Sequence, residues 1–114
     1  MIESTAFGVM TIDGRTYHSD LIIFPDNRVK EGWWRQRGHV LGVEDILPLV
    51  DTAPELIVAG TGTSGRMRPD TDLLPFLRQK GIVLIAEPNS RAVRVYNDKV
   101  REGIKTGACF HLTC

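Results

Sequence analysis

The stretch from residue 56 to residue 65 constrains the fold more than any other part of the chain. It opens with a short apolar run, Leu56–Ala59, which is typical of a buried strand. The run leads directly into Gly60–Gly65, a glycine-rich loop whose backbone N–H groups can approach an anion closely. A helix is predicted to start near 69–72, and Ile82–Ala86 predicts a second apolar strand. If the domain has a small-molecule site, we expect it at the end of the first strand.

Alternating helix and strand patterns begin at about Gly42. The segments Asp45–Val50 and Asp72–Leu77 share the pattern Asp-x-Leu-Pro-x-hydrophobic, and each precedes one of the two apolar strands. Their prolines fall near a first helical turn, where N–H groups have no intrahelical partner. Gly81 fits a left-handed helix stop. Two successive helix–strand units imply neighbouring parallel strands with right-handed crossovers.

The last part of the chain predicts one more helix and one more strand. The helix spans about 90–102, with Asn89 or Ser90 as its cap and Tyr96 on its apolar side. Ala108–Leu112 predicts a closing strand.

The N-terminal part predicts an antiparallel region. Ala6–Ile12 is mostly apolar and predicts a strand, and Asp13-Gly14 is a strong two-residue hairpin signal. Leu21–Phe24 predicts another strand, closed by the turn residues Pro25-Asp26-Asn27. These elements and the later helix–strand units together predict one α/β domain over 1–114, with a mixed sheet and helices on its faces.

A pair of adjacent tryptophans, Trp33 and Trp34, follows in a segment predicted to be extended. Adjacent residues on a strand point to opposite faces, so at most one of the two rings enters any single core. If a tryptophan ring is buried, packing in the core is enough to explain its presence. An exposed tryptophan would instead favour a surface that binds a partner.

Composition narrows the function classes. The formal net charge is zero, so no bulk electrostatic attraction draws the chain to nucleic acid. No apolar run approaches the roughly 20 residues that span a bilayer, and the first residues lack a secretory signal, so we expect a cytoplasmic chain without membrane insertion. The two cysteines, Cys109 and Cys114, are expected to be reduced thiols.

The glycine loop has the outline of a dinucleotide-binding fingerprint, because Glu87 follows at about the spacing of 20 residues that such sites use. However, Pro69 would break a helix that started within the glycines, and the chain is too short to wrap a dinucleotide. We therefore predict no cofactor. The three histidines, His18, His39 and His111, show no metal-ligand spacing, so no metal site is predicted. No nucleophile elbow or phosphate-binding Gly-Lys-Ser/Thr motif is present, and no catalytic residues are predicted.

A small anion remains a candidate ligand of the loop. Loop amides, hydroxyl groups and nearby arginines, including Arg68, are suited to phosphate or carboxylate, and ligands of open α/β sheets lie beyond the strand ends. The alternative is a plain strand-to-helix connection, with Asn97 bonded to a neighbouring loop and Tyr96 in the core. The candidate ligand-binding residues are Gly60, Thr61, Gly62, Thr63, Ser64, Arg66, Glu87, Asn89, Tyr96 and Asn97.

Several of these segments resemble the Mth-domain family. The resemblance lies in the strand into Gly60-Thr61-Gly62, in Gly81-Ile82, in Ala92-x-Arg94-x-Tyr96-Asn97 and in Glu102-Gly103, and it covers about residues 6–112. Relatives include the adipogenesis-associated Mth-domain protein and mitochondrial complex I assembly factor three. Val95 and Ile104 depart from the family pattern, where threonine and arginine are common.

The resemblance implies a three-layer α/β domain whose central mixed sheet has one strand running opposite to the rest. It implies no reaction, and its relatives suggest binding to other proteins, including assembly work around complex I. We therefore expect a domain that acts by binding, with another protein as the leading partner. A small-molecule or anion-binding protein, or a weak enzyme, that uses the Gly60–Gly65 loop is the alternative.

Overall fold

The computed structural model describes residues 1–114 and contains ten strands, three α-helices and one 3-10 turn. The strands are β1 (Ile2–Ala6), β2 (Val9–Ile12), β3 (Arg15–Tyr17), β4 (Leu21–Ile23), β5 (Val29–Glu31), β6 (Val40–Leu41), β7 (Leu56–Gly60), β8 (Arg68–Pro69), β9 (Val83–Glu87) and β10 (Thr106–Phe110). The helices are α1 (Leu47–Val50), α2 (Leu73–Gln79) and α3 (Asn89–Arg101), and the 3-10 turn at Glu44–Ile46 precedes α1.

The first three strands form a separate antiparallel sheet in the order β1-β2-β3. The hairpin turn between β2 and β3 is at Asp13-Gly14, as predicted, and both residues have positive φ (49° and 82°), which the favoured two-residue hairpin turn requires. The prediction of one strand over Ala6–Ile12 was wrong. Gly8, with φ of 76°, turns the chain there and divides the apolar run between two strands.

The central sheet has five strands in the order β5-β4-β10-β7-β9. Strand β10 is parallel to β7, which is parallel to β9, whereas β4 is antiparallel to both of its neighbours. Strand β4 is therefore the one strand that runs opposite to the rest. This confirms the mixed three-layer α/β fold that the resemblance implied. The predicted closing strand, Ala108–Leu112, is present as β10 over Thr106–Phe110 and occupies the middle of the sheet.

Each face of the central sheet buries its own apolar core, because successive strand residues point to opposite sides. The first core lies under α3 and the N-terminal sheet and contains Ile2, Met10, Ile12, Tyr17, Leu21, Ile23, Leu56, Val58, Ala92, Tyr96, Ala108, Phe110 and Leu112. The second lies under α1 and α2 and contains Ile22, Trp33, Leu41, Ile46, Leu49, Ile57, Ala59, Met67, Leu73, Leu77, Ile82 and Cys109. Strand β10 contributes to both cores.

The helix after the glycine loop starts later than predicted. Arg68 and Pro69 pair with β6 in a short parallel sheet, and α2 begins only at Leu73. The predicted left-handed stop is confirmed, since Gly81 has a φ of 72° just after α2. The predicted cap of the last helix was wrong: Pro88 is the N-cap residue of α3, and no side chain caps the helix. The Asn89 side chain is used elsewhere, as described below.

Candidate functional site

The N–H groups of the glycine loop are already bonded to oxygen atoms of this chain. Thr61 donates to the Glu87 carbonyl (2.9 Å), and Thr63 donates to the Thr113 carbonyl (2.7 Å). Ser64 and Arg66 both donate to the Cys114 carbonyl, each at 3.2 Å. An anion would have to displace the segment 113–114 in order to reach the N–H groups of Thr63, Ser64 and Arg66.

Close approach of β10 and the segment after it explains two of the glycines. A Cβ atom on Gly62, whose φ is 109°, would overlap the backbone carbon of Cys114. A Cβ atom on Gly60 would overlap the Phe110 ring. The loop therefore needs glycine so that another part of the chain can approach closely, which is the same local requirement that a bound ligand would impose.

Asn89, one of the candidate ligand residues, is a buried link between three elements. Its side chain is only 3% exposed. Its Oδ1 accepts a hydrogen bond from the Gly62 N–H (3.0 Å), and its Nδ2 donates to the His111 carbonyl (2.8 Å). The amide therefore fastens the start of α3 to the glycine loop and to the end of β10.

The other candidates lie in different surroundings. Asn97 pairs with the backbone of Ile2, where it donates to the carbonyl (2.8 Å) and accepts from the N–H (3.0 Å). It lies two turns along α3 from Asn89, about 12 Å at 1.5 Å per residue. Tyr96 is in the first core, and burial raises the pKa of its hydroxyl to about 12, with a smaller contribution from the Asp13 charge. The structure thus does not bring Asn97 and Tyr96 to the loop.

The two charged candidates, Glu87 and Arg66, also have surroundings of their own. Glu87 accepts a hydrogen bond from Arg91 on the first turn of α3 (3.2 Å). Arg66 is exposed. Of the predicted set, only the loop residues, Glu87 and Asn89 are close neighbours, and the contacts that join them are contacts within the chain.

A polar cluster of Asp20, Arg35 and His111, here called the Asp20 cluster, lies beside the end of β10. Asp20 Oδ2 is 2.9 Å from His111 Nδ1 and 2.9 Å from Arg35 Nη1. The Arg35 and His111 side chains are 6% and 9% exposed. Asp20 Oδ1 also accepts a hydrogen bond from the Leu112 N–H at 2.7 Å.

Asp20 is ionised in this cluster. Burial on its own would raise the pKa of the carboxyl group, but the hydrogen bonds from Leu112, His111 and Arg35 outweigh it and hold the pKa below its ordinary value. His111 Nδ1 lies 2.9 Å from Asp20 Oδ2, which only accepts hydrogen bonds, and 2.9 Å from Arg35 Nη2, which only donates them. The other ring nitrogen, Nε2, is 3.5 Å from the Thr113 hydroxyl oxygen.

Two further donor atoms lie near His111. The rings of His39 and His111 meet edge to face, with centroids 5.6 Å apart. Each of His39, His111 and Cys114 offers a ligand atom, and these atoms all lie within 4.8 Å of one another. Both cysteines are free, and burial raises the pKa of the Cys109 thiol to about 12.

Trp34 is the most exposed large apolar side chain, at 87%, whereas Trp33 is 7% exposed. The indole N–H of Trp33 donates to the Asp45 carbonyl (2.9 Å), and Arg35 lies over its ring. Trp34 lines two clefts, of about 430 and 320 Å³. The first is lined by Ser19, Asp20, Gly32, Trp33, Trp34, Arg35, Gln36 and Gly38, and the second by Lys30, Gly32, Trp33, Trp34, Gln36, Glu44, Asp45 and Pro48. We call Trp34 with these two clefts the Trp34 ridge.

Comparison with known proteins places this fold in a family. A family model described as a protein of unknown function (DUF498/DUF598) matches residues 2–111. The chain belongs to the DUF498/DUF598 family. This DUF498/DUF598 domain is similar to the solved structure of MT938, with 25% identity, a TM-score of 0.80, and coverage of 100% of this chain and 98% of that chain.

Two more solved structures share the fold of this DUF498/DUF598 domain. The conserved hypothetical protein PH1505 of Pyrococcus horikoshii is 20% identical with a TM-score of 0.85, over 100% of this chain and 99% of that one. A Bordetella pertussis protein described as a Mth938-like domain is 17% identical with a TM-score of 0.65, over 98% of this chain and 85% of that one. The Mth-domain resemblance is thereby confirmed. In the DUF498/DUF598 domain, no helix has the length and apolar character needed to cross a membrane.

Sequence reasoning missed the Asp20 cluster of the DUF498/DUF598 domain. Asp20 and His111 are 91 residues apart, and Asp20 sits in no motif, so nothing local connects them. The one available signal was positional: Asp20 directly precedes β4, and His111 directly follows β10. Because β4 and β10 are antiparallel neighbours with Leu21 opposite Phe110, these two positions meet at the same end of the two strands.

Proposed function

We propose that this DUF498/DUF598 domain acts by binding another protein through the Trp34 ridge. The observation that carries the proposal is the exposure of Trp34, 87%, next to a buried tryptophan. Tryptophan is among the residues that dominate binding energy at protein interfaces, because a single ring removes a large apolar area from water. Leaving such a ring in water has no folding benefit, which favours a role in recognition.

The surroundings of Trp34 support this proposal, since both of its chain neighbours are anchored. The Trp33 N–H donates to the Asp20 carbonyl (3.0 Å), and Arg35 Nε donates to the Gly38 carbonyl (2.9 Å). The backbone that presents Trp34 is thus held on both sides. A preorganised side chain loses less conformational freedom on binding, which leaves more of the contact energy as affinity.

The clefts beside Trp34 have the mixed character expected around an interface anchor. Lys30 and Glu44 line one of them, while Asp20 and Ser19 line the other. Polar groups at the rim of an interface contribute orientation and specificity, and the central aromatic residue contributes most of the energy. A partner with an apolar pocket and a polar surround fits this ridge. The assembly-factor-like role that the family resemblance implies is a finer form of the same proposal.

Photo-crosslinking tests the proposal. A photoreactive phenylalanine analogue replaces Trp34 in one variant and the exposed Arg94 on α3 in a matched control, and both are irradiated in cells that express the chain. We expect a discrete adduct of one protein from position 34 and none from position 94. The same adducts at both positions, or none at position 34, would contradict the proposal.

Binding of a small anion at the Gly60–Gly65 loop stays a prediction. Its test is a thermal-shift screen with phosphates and small carboxylates, with Arg66→Ala in parallel. A ligand at 100 times its dissociation constant stabilises a protein by about 2.7 kcal/mol, which is easily seen in a domain of this size. A shift that is absent from Arg66→Ala would support the loop as the site.

A further inference from the structure

We propose that His39, His111 and Cys114 form a binding site for a thiophilic divalent metal ion such as Zn²⁺. The three residues come from separate parts of the chain: a loop before β6, the first position after β10, and the segment beyond it. Their ligand atoms all lie within 4.8 Å of one another. Two imidazoles and one thiolate are a familiar donor set for zinc.

The separation of the donors is close to what a metal requires. In a tetrahedral site with metal–nitrogen distances of about 2.0–2.1 Å and metal–sulfur distances of about 2.3 Å, ligand atoms lie roughly 3.4–3.7 Å apart. To bring the three ligand atoms from their present separations to these distances, the side chains need to move by about 1 Å. The His39 side chain is exposed, so it can make this adjustment without disturbing a core.

Asp20 prepares His111 for this role. Its carboxylate and the Arg35 guanidinium are each 2.9 Å from Nδ1, so both groups occupy that side of the ring and Nε2 is the nitrogen left for a metal. A carboxylate behind a metal-bound histidine fixes the ring orientation and increases its basicity. Since His111 is 9% exposed on its side chain and held in this way, its ring is the fixed member of the set.

The backbone around the other two donors is also held. The Cys114 carbonyl accepts hydrogen bonds from Ser64 and Arg66, and the His39 carbonyl accepts one from Arg68 (3.0 Å). The glycine loop therefore positions the thiol beside the histidines. On this proposal, the close approach of Gly62 to Cys114 serves to build a metal site rather than to bind an anion.

The donor set also limits the ion. Mg²⁺ and Ca²⁺ prefer oxygen ligands, whereas imidazole and thiolate suit Zn²⁺ and Co²⁺. Three protein ligands leave one position of a tetrahedron for water or for a fourth ligand from another molecule. The histidine spacing in the sequence does not reveal this site, because the fold supplies each donor from a different segment.

Cobalt titration of the reduced, metal-free protein tests the site. We expect one Co²⁺ per chain, with the visible bands of a tetrahedral ion and a sulfur-to-cobalt charge-transfer band, both removed by one equivalent of Zn²⁺. Cys114→Ser should abolish the charge-transfer band, and His39→Ala should weaken binding at least about tenfold, as expected when one of three ligands is lost. His18→Ala, which changes an exposed histidine outside the cluster, should bind as the wild type does.

A thiol-protection measurement provides a second readout. Zn²⁺ should slow alkylation of Cys114 in the wild type but not in His39→Ala, with circular dichroism confirming that both are folded. The proposal is overturned if the wild type does not bind Co²⁺. It is also overturned if Cys114→Ser and His39→Ala bind Co²⁺ with the same spectrum and affinity as the wild type.

Discussion

Replacing Asn89 with alanine tests whether this residue is a structural link or a ligand group. The substitution leaves two buried backbone groups without partners: the Gly62 N–H, now 3.0 Å from Oδ1, and the His111 carbonyl, now 2.8 Å from Nδ2. Leaving one buried group unsatisfied costs about 1–3 kcal/mol. Two such groups sum to about 2–6 kcal/mol. Since losses above about 4–5 kcal/mol are exceptional for a single substitution, we expect the lower part of that range, about 2–4 kcal/mol in the free energy of unfolding.

This loss converts into a measurable change in melting temperature. With an unfolding entropy of about 2.1 cal/mol/K per residue, 1 kcal/mol corresponds to about 4 °C in a chain of 114 residues. Asn89→Ala should therefore melt about 8–16 °C below the wild type. Urea unfolding followed by tryptophan fluorescence gives the free energy, and calorimetry gives the melting temperature.

Two further variants make the result specific. Ser90→Ala changes the next, exposed residue on the same helical turn and should stay within about 0.5 kcal/mol of the wild type. Asn89→Asp keeps the size and the acceptor but places a carboxylate oxygen against the His111 carbonyl, so it should be as destabilising as the alanine variant. If Asn89→Ala loses less than about 1 kcal/mol, matching Ser90→Ala, the reasoning is refuted.

Three other predictions follow from the same contacts. The pKa of Asp20 is lowered in the folded state, so its ionised form stabilises the fold at pH values above its unfolded pKa of about 3.9, and this stability is lost as the pH falls through the folded pKa. In urea unfolding, the free energy of unfolding of Asp20→Asn should therefore fall less steeply with acid than that of the wild type. Because burial raises the pKa of Cys109 to about 12, a thiol reagent should react with one thiol, Cys114, in the native protein and with two in denaturant. Rapid reaction of two thiols in the native protein would contradict this. Gly60→Ala should lower the melting temperature, because its Cβ would overlap the Phe110 ring, and an unchanged melting curve would show that the ring moves aside freely.

The parts of the fold that the sequence predicted are those with a local cause. Asp13-Gly14 and Gly81 mark turns because few other residues adopt positive φ, and both turns are where we expected them. The apolar runs in β7 and β9 predicted two neighbouring parallel strands, and β7 is buried throughout as predicted, whereas β9 lies at the edge of the sheet and is only partly covered. The break at Gly8 was missed, because an apolar run looks the same whether it forms one strand or two.

The candidate site was harder to predict, for a physical reason. A glycine-rich loop indicates that some group approaches its backbone closely, but the sequence does not say whether that group is a ligand or another part of the chain. Here Cys114 and Phe110 do so in the structure. The Asp20 cluster depends on pairing between distant strands, and the exposure of Trp34 depends on how its loop is anchored. Neither leaves a periodic signal.

The position of β10 also has a consequence for how the chain folds. Strand β10 lies between β4 and β7, yet residues 106–110 come after every other strand in sequence. Until these residues leave the ribosome, the β4–β5 hairpin and the β7–β9 pair have no strand to join them, and both cores lack the residues that β10 supplies. Completion of the sheet must then wait for contacts of long sequence separation, which slow folding. During synthesis, the chain therefore passes through a period in which the inner edges of β4 and β7 are both open to other strands.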